Sequence, residues 1–170
     1  MNPSKRIPLS VDLIKSLFEY NPETGIIKNQ LTRGRGGRPG QIAGGMNQMG
    51  YWVVICKGRT IQAHRIAWVF AFNVWPDGEI DHINGVRSDN RICNLRVATR
   101  SQNMMNCGKK SNNASGFKGV SWHKLVGKWS AGITVAQKRT HLGVFKDKQE
   151  AAAAYAEAAK RLHGEFARLE

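Results

Sequence analysis

Residues 79–103 read EIDHINGVRSDNRICNLRVATRSQN, a pattern that predicts two short strands followed by a helix. Apolar residues on either side of a polar turn are typical of paired short strands. Thr99 precedes a stretch compatible with a helix and is a candidate N-cap for it. In such a unit, side chains from a strand, a turn and a helix can converge on one point.

Two neighbouring side chains in this segment, Asp81 and His82, suggest phosphodiester hydrolysis. This reaction needs a base that deprotonates water and a hard cation that stabilises the charge developing on the phosphate. Histidine has a pKa near neutrality, and carboxylate and amide oxygens are ligands that suit Mg²⁺. Taken singly, each residue is also compatible with a turn, a cap or a solvated surface position.

The spacing of Asp81-His82, Gly85, Asn90 and Asn94-Leu95-Arg96 resembles the HNH endonucleases, in particular the phage-type homing endonucleases. The resemblance covers about residues 1–106 and includes residues 20–25 and 63–65 upstream.

The resemblance implies a ββα-metal fold with His82 as general base. It also implies that Asp81 and Asn103 bind one divalent metal and that Asn94 holds His82 through a side-chain hydrogen bond. Since the last position is Asn rather than His, an oxygen-liganded Mg²⁺ (or Mn²⁺) is favoured over zinc. The role of His64 stays open between a contact with DNA or metal and a buried structural position, and Asn84 and Asn90 are interpreted as loop-structuring residues.

The C-terminal part predicts three strands and one helix. In residues 128–134 polar and apolar residues alternate, and an alanine-rich helical pattern occupies residues 149–163. The alternation predicts one apolar face packed on the helix and one polar, basic face, which could enter the DNA major groove. The residues predicted to point inward are Trp122, Trp129, Ala131, Ile133, Thr140, Leu142 and Val144.

Residues 117–120, 127–133, 141–145 and 151–155 resemble the plant Apetala-two/ethylene-response-factor (AP2/ERF) type of DNA-binding domain. By this resemblance the DNA contacts fall on Lys118, Ser121, His123, Thr134, Arg139 and His141. We add Lys124 and Lys138 as predicted phosphate contacts, which position a protein on DNA without reading its sequence. Since Gly132, Thr134 and His141 depart from the plant pattern, the plant target sequence is not carried over.

The composition indicates a folded protein that binds polyanions. Among 170 residues, 26 Lys and Arg stand against 12 Asp and Glu, a net charge of +14, while 41% of residues are hydrophobic. Residues 34–50 contain seven glycines and predict a tightly turning basic loop. No apolar run approaches the roughly 18 residues of a membrane span, so we expect a soluble, cytoplasmic protein. For a phage-encoded protein this is the cytoplasm of the host bacterium. Three cysteines without a Cys-x-x-Cys pair argue against a disulfide framework or a zinc ribbon.

We therefore predict an α+β protein with an HNH nuclease domain at 1–106 (core motif 78–106), a linker at 107–116 and an AP2/ERF-like domain at 117–170. The predicted function is metal-dependent, site-preferring cleavage of double-stranded DNA, with nicking by a monomer because the chain has a single Asp-His pair. No protein partner is implied. The alternatives are a non-catalytic DNA-binding regulator that retains the nuclease fold and, with less support, an RNA-binding protein.

Overall fold

The computed structural model describes residues 9–32, 37–109 and 111–169. The chain forms two compact units, residues 1–97 and 98–170. Both mix helices with antiparallel strands, so the predicted α+β class is confirmed in these general terms. Residues 34–36 of the predicted basic loop lie outside the described residues. No helix in the described part of the chain is long and apolar enough to cross a membrane.

In its described residues, the first unit contains two helices and three small sheets. Its elements are α1 (Val11–Leu17), β1 (Phe18–Tyr20), β2 (Ile27–Asn29), β3 (Gly45–Met46), β4 (Trp52–Cys56), β5 (Arg59–Gln62), α2 (Ala63–Phe72), β6 (Glu79–His82), a 3-10 turn (Ile92–Asn94) and β7 (Leu95–Ala98). The sheets pair β1 with β2, β3 with β4 and β5, and β6 with β7. The last residue of β7 is the first residue of the second unit.

Helix α1 begins where the sequence predicts, because the Ser10 side chain accepts a hydrogen bond from the Leu13 N–H at 3.3 Å. It ends at Leu17, earlier than the apolar periodicity suggests, since the next three residues pair with β2. The predicted hairpin of β4 and β5 is confirmed. Lys57 and Gly58 both have positive φ, 49° and 70°, as a two-residue type I′ turn requires.

A small apolar cluster positions the strand pair β6–β7. Ala67 of α2, Ile80 of β6 and Leu95 of β7 are buried together, and each buried Ile or Leu contributes about 2 kcal/mol. The cluster therefore anchors the carboxyl end of β6, where Asp81 and His82 lie, on the side of α2.

The second unit packs a three-stranded antiparallel sheet on a long helix. Its elements are α3 (Arg100–Asn106), β8 (Val120–His123), β9 (Lys128–Val135), β10 (Lys138–Phe145), α4 (Lys148–His163) and a 3-10 turn (Gly164–Phe166). The strand order is β10-β9-β8. Ile133 and Ala131 of β9 are buried with Tyr155, Ala158 and Ala151 of α4, so the small side chains of the helix do cover the inner face of the sheet.

Three side chains that were predicted to point inward from this sheet are exposed, namely Trp122, Thr140 and Val144. The register of β10 shifts between His141 and Gly143, so Val144 pairs with Ser130. This shift moves Val144 to the outer face, where it is 40% exposed, because an inserted residue reverses the alternation of sides. Trp122 and Thr140 have the predicted inward parity, opposite Trp129 and Ile133. Both are exposed, Trp122 to 49%, because they lie on the two edge strands, so the assignment of Trp122 to the core is wrong.

The division into units differs from the predicted domain limits. The predicted nuclease domain extends to residue 106 and so includes α3, whereas α3 belongs to the second compact unit. The predicted N-cap is confirmed: Thr99 Oγ1 accepts from the Gln102 N–H at 3.2 Å, and the Gln102 side chain accepts from the Thr99 N–H at 2.9 Å.

Candidate active site

Strand β6 ends in two enclosed polar side chains, Asp81 and His82, each 4% exposed. Arg96 of the partner strand β7 approaches Asp81, with Nε and Nη2 each 2.8 Å from Oδ2. A buried carboxylate requires such a partner, because an uncompensated charge in this setting costs several kcal/mol. The pairing of two adjacent short strands therefore places the Arg96 guanidinium on Asp81, beside the histidine.

The loop between β6 and β7 is closed by Asn94. Its Oδ1 accepts from the Asn84 N–H at 2.9 Å, and its Nδ2 donates to the Asp89 carbonyl at 2.9 Å. Both contacts are with the loop backbone. The implied role of Asn94, a side-chain hydrogen bond to His82, is therefore corrected: Asn94 fixes the loop that carries the histidine's partner.

That partner is Asn90, whose Oδ1 lies 3.3 Å from His82 Nε2. The Asn90 side chain is oriented by its other end, since Nδ2 donates to the Ser88 carbonyl at 3.2 Å. Because Oδ1 can only accept, the neutral His82 ring carries its proton on Nε2 and its lone pair on Nδ1. The sequence indicated Asn90 only as a loop residue, although its eight-residue distance from His82 across a turn was an available signal.

The environment keeps His82 in its basic form. Burial lowers the pKa of His82 below its ordinary 6.5, and the Asn90 hydrogen bond and the charge of Asp81 oppose this effect in part. A histidine with a lowered pKa is neutral at pH 7 and can accept a proton.

Two further rings pack against His82. His64 lies in the first turn of α2. The centroid of its ring lies 5.0 Å from that of His82, and the two ring planes meet at 78°. The ring centroid of Tyr51 lies 5.7 Å from that of His64 and 6.1 Å from that of His82. The exposed guanidinium of Arg87 lies over the Tyr51 ring, 5.0 Å from its centroid. The His82 ring is therefore flanked by two rings, and a cation lies over one of them. The sequence did not predict that Tyr51 takes part in this arrangement.

Residues 20–25 contact the loop between β6 and β7. The Tyr20 hydroxyl donates to the Asn90 carbonyl at 2.9 Å, and burial raises the pKa of Tyr20 to about 12. Gly25 has a φ of +72°, and a Cβ at this position would lie 2.6 Å from the backbone nitrogen of Arg91. A larger residue would therefore displace the loop. This upstream motif therefore supports the position of Asn90.

The predicted second metal ligand, Asn103, is a half-buried residue of α3 and belongs to the second unit. Among the described residues, no group of three or more His, Cys, Asp or Glu side chains is arranged to hold a metal ion. The donor chemistry at Asp81 still fits Mg²⁺, which is commonly held by one or two carboxylates together with water and substrate phosphate. One carboxylate offers about four acceptor sites, so a contact with Arg96 is compatible with binding of a cation by Asp81.

The outer face of the second unit gathers five of the eight predicted DNA contacts. Ser121 and His123 of β8 pair with Ser130 and Lys128 of β9, while Arg139 and His141 of β10 pair with Thr134 and Gly132. Directly opposed residues share a face, so Ser121, His123, Thr134, Arg139 and His141 lie on the side away from α4. A Cβ on Gly132 would lie 2.9 Å from Arg139 Nε, so this glycine lets the guanidinium lie across the sheet.

The other three predicted contacts lie elsewhere. Lys118 is half-buried and donates from Nζ to the Met105 carbonyl of α3 at 2.6 Å, and burial lowers its pKa. Lys138 has the opposite parity to Arg139 at the tip of the β9–β10 hairpin. Lys124 lies in the exposed turn between β8 and β9. The ammonium of Lys118 satisfies a carbonyl at the end of α3, and its contact with DNA stays a prediction.

The segment that carries Asp81 and His82 is similar to a known protein family. Residues 62–105 match the HNH endonuclease family, a span that contains His64, Asp81, His82, Asn90, Asn94 and Asn103. A phage relative, "Protein 3.8" of Escherichia phage T7, is 35% identical over 107 residues, which are 62% of this chain and 88% of the relative. No solved structure matches the chain.

Proposed function

Since the chain belongs to the family of Protein 3.8 of Escherichia phage T7 and residues 62–105 match the HNH endonucleases, we propose that it is a homing-type DNA endonuclease. The observation that carries the proposal is the Asp81–His82 pair inside that match, with the His82 tautomer set by Asn90. Its substrate is double-stranded DNA, its expected location is the host bacterial cytoplasm, and it acts as a monomer.

In the proposed reaction, His82 Nδ1 removes a proton from a water molecule as the water oxygen attacks phosphorus. The bond between phosphorus and the 3′-oxygen breaks, and the products are a 5′-phosphate and a 3′-hydroxyl, whose proton comes from solvent. Asn90 accepts the Nε2 proton and so leaves the ring lone pair on Nδ1. A general base of this kind contributes about 10²- to 10⁴-fold in rate.

We assign the divalent cation, Mg²⁺ or Mn²⁺, to Asp81, with Asn103 as the second protein ligand that the resemblance implies. When bound, the cation would neutralise negative charge on the phosphate and on the leaving oxygen. Arg96 holds Asp81 Oδ2 through two contacts of 2.8 Å, so the orientation of the carboxylate is set before DNA arrives.

A cleavage assay tests the activity and the base together. Supercoiled plasmid with candidate target sites is incubated with protein in Mg²⁺, Mn²⁺ or EDTA. We expect open circles with a divalent cation and at least a hundredfold slower conversion by His82→Ala, while DNA binding is unchanged. His141→Ala is the matched control, because it removes an imidazole from the outer sheet face: it should weaken binding and leave the rate at saturating DNA intact.

The outcomes of this assay distinguish a nuclease from a non-catalytic DNA-binding regulator. Linear product at single-hit stoichiometry would contradict nicking by a monomer. Loss of binding in His82→Ala would assign that residue a structural role. Specific binding without cleavage in any divalent cation would refute the nuclease and support the DNA-binding regulator.

We further propose that the outer face of the second unit anchors DNA. Support comes from the shared face of Ser121, His123, Thr134, Arg139 and His141, on a chain of charge +14. Arg139→Ala should weaken binding and reduce the salt dependence by about one counterion. Lys138→Ala removes the same charge from the neighbouring residue of opposite parity, so it should cost less affinity. Equal losses would show that net charge, rather than this face, determines binding.

A further inference from the structure

His64 is an enclosed imidazole without a hydrogen bond among the described residues. It is 4% exposed, and its buried Nδ1 has no hydrogen-bond partner in the described part of the chain. Polar atoms enclosed in this way are uncommon, since each one costs free energy that a hydrogen bond would recover. A pure packing role would be filled at lower cost by an apolar ring.

The location of His64 links it to the proposed chemistry. Its ring lies edge-on against the ring of the proposed base, His82, at 5.0 Å, and both rings contact Tyr51. The exposed guanidinium of Arg87 lies over the Tyr51 ring. A phosphate group that contacts the His82 ring therefore lies close to His64 and to the positive charge of Arg87.

The protonation state of His64 indicates which ligand it suits. Burial, with the neighbouring His82 and Arg65, lowers its pKa to about 3, so the ring is neutral and has one N–H. Enclosed N–H groups without an acceptor are rarer than unpartnered acceptors. The proton is therefore better placed on Nε2 than on the enclosed Nδ1, which leaves Nε2–H as a hydrogen-bond donor.

We propose that His64 is a second catalytic imidazole, which donates its N–H to a non-bridging oxygen of the scissile phosphate. This inference rests on the proposed nuclease function. A phosphate oxygen accepts and never donates, so it is complementary to a neutral N–H. His64 lies on α2 and its ring packs on the His82 ring of β6, and a group that stabilises developing negative charge must be held in position in this way.

The test compares His64→Phe, which keeps a ring and removes both nitrogens, with His64→Gln, which keeps an N–H donor. Thermal melting first establishes that each variant folds, and His64→Phe should melt no lower than wild type because it removes an unpartnered polar atom. DNA affinity is then measured in EDTA, and single-turnover cleavage in Mn²⁺ at saturating DNA.

We expect His64→Phe to bind DNA about fivefold more weakly without metal, the equivalent of one net hydrogen bond. Its cleavage should be about a hundredfold slower, as for other donors to a developing oxyanion. His64→Gln should regain part of both losses. In a duplex with sulfur replacing one non-bridging oxygen at the mapped cleavage site, the sulfur penalty seen for wild type should shrink in His64→Phe.

Three results would overturn the assignment. Binding and cleavage by His64→Phe within twofold of wild type would show that the ring only packs. Recovery of His64→Phe cleavage by raised Mn²⁺ would make His64 a cation ligand instead. Failure of wild type to cleave in any divalent cation refutes the proposed function itself and with it the catalytic role, whereas the first two results leave the nuclease standing.

Discussion

Replacing Asn94 by Ala tests how the loop that carries Asn90 is held. Asn94 is 6% exposed, and its side chain makes two hydrogen bonds of 2.9 Å, to the Asn84 N–H and the Asp89 carbonyl. Each net hydrogen bond contributes about 1 kcal/mol, and an unpaired buried group costs more. Since Asn84 is exposed and water can replace part of the loss, we expect a destabilisation of about 2 kcal/mol.

Urea unfolding of the full chain is monitored by tryptophan fluorescence. Hydrogen exchange is measured at the Asn84 backbone amide. Exchange of this amide should become faster in Asn94→Ala, because its acceptor is the deleted side chain. Cleavage should fall only to the extent that the loop loses its native conformation, and low temperature should restore much of it.

Asn90→Ala is the matched comparison. Its side-chain contacts are longer, 3.3 Å to His82 and 3.2 Å to the Ser88 carbonyl, so we expect about 1 kcal/mol of destabilisation. Cleavage should fall further than in Asn94→Ala, since the His82 tautomer is no longer set. Full stability with lost cleavage in Asn94→Ala would refute this division of roles and restore the direct contact with His82 that the family resemblance implies.

Two further predictions concern Lys118 and Asp89. Lys118→Met keeps the aliphatic stem and removes the donor to the Met105 carbonyl, so thermal melting should show a loss of about 1 kcal/mol while DNA affinity by fluorescence anisotropy stays unchanged; lost affinity with full stability would support a DNA contact. The Arg91 side chain holds the pKa of Asp89 at about 2, below its ordinary 3.8, so the ionised carboxylate stabilises the folded loop above pH 3.8 and this stabilisation is lost as the pH falls towards 2. The unfolding free energy of wild type between pH 5 and 2 should therefore drop more steeply than that of Asp89→Asn, and identical slopes would contradict the prediction.

Features that depend on near neighbours were predictable from the chain. The start of α1 at Ser10, the turn at Lys57-Gly58 and the cap at Thr99 each involve residues no more than three positions apart. Their side-chain chemistry and backbone preferences act within one turn, so no knowledge of packing is needed. The adjacency of Asp81 and His82 at a strand end was recognisable for the same reason.

The partners of those residues depended on the tertiary structure. Asn90 and Asn94 are the same residue type four positions apart, and only the closure of the loop on β6 decides that one contacts His82 and the other the backbone. Likewise, the shifted register in β10 moved Val144 outward, against a regular alternation.

Residue type and short spacing thus determined the candidate chemistry, the basic charge and most element positions. Tertiary packing decided which nitrogen of His82 holds the proton, and it brought His64 against that ring from 18 positions away in the chain. It also directed Lys118 to a helix end. The physical reason is that local preferences act over a few residues, whereas contacts between distant residues form only when burial of apolar side chains, such as Ala67, Ile80 and Leu95, brings their elements together.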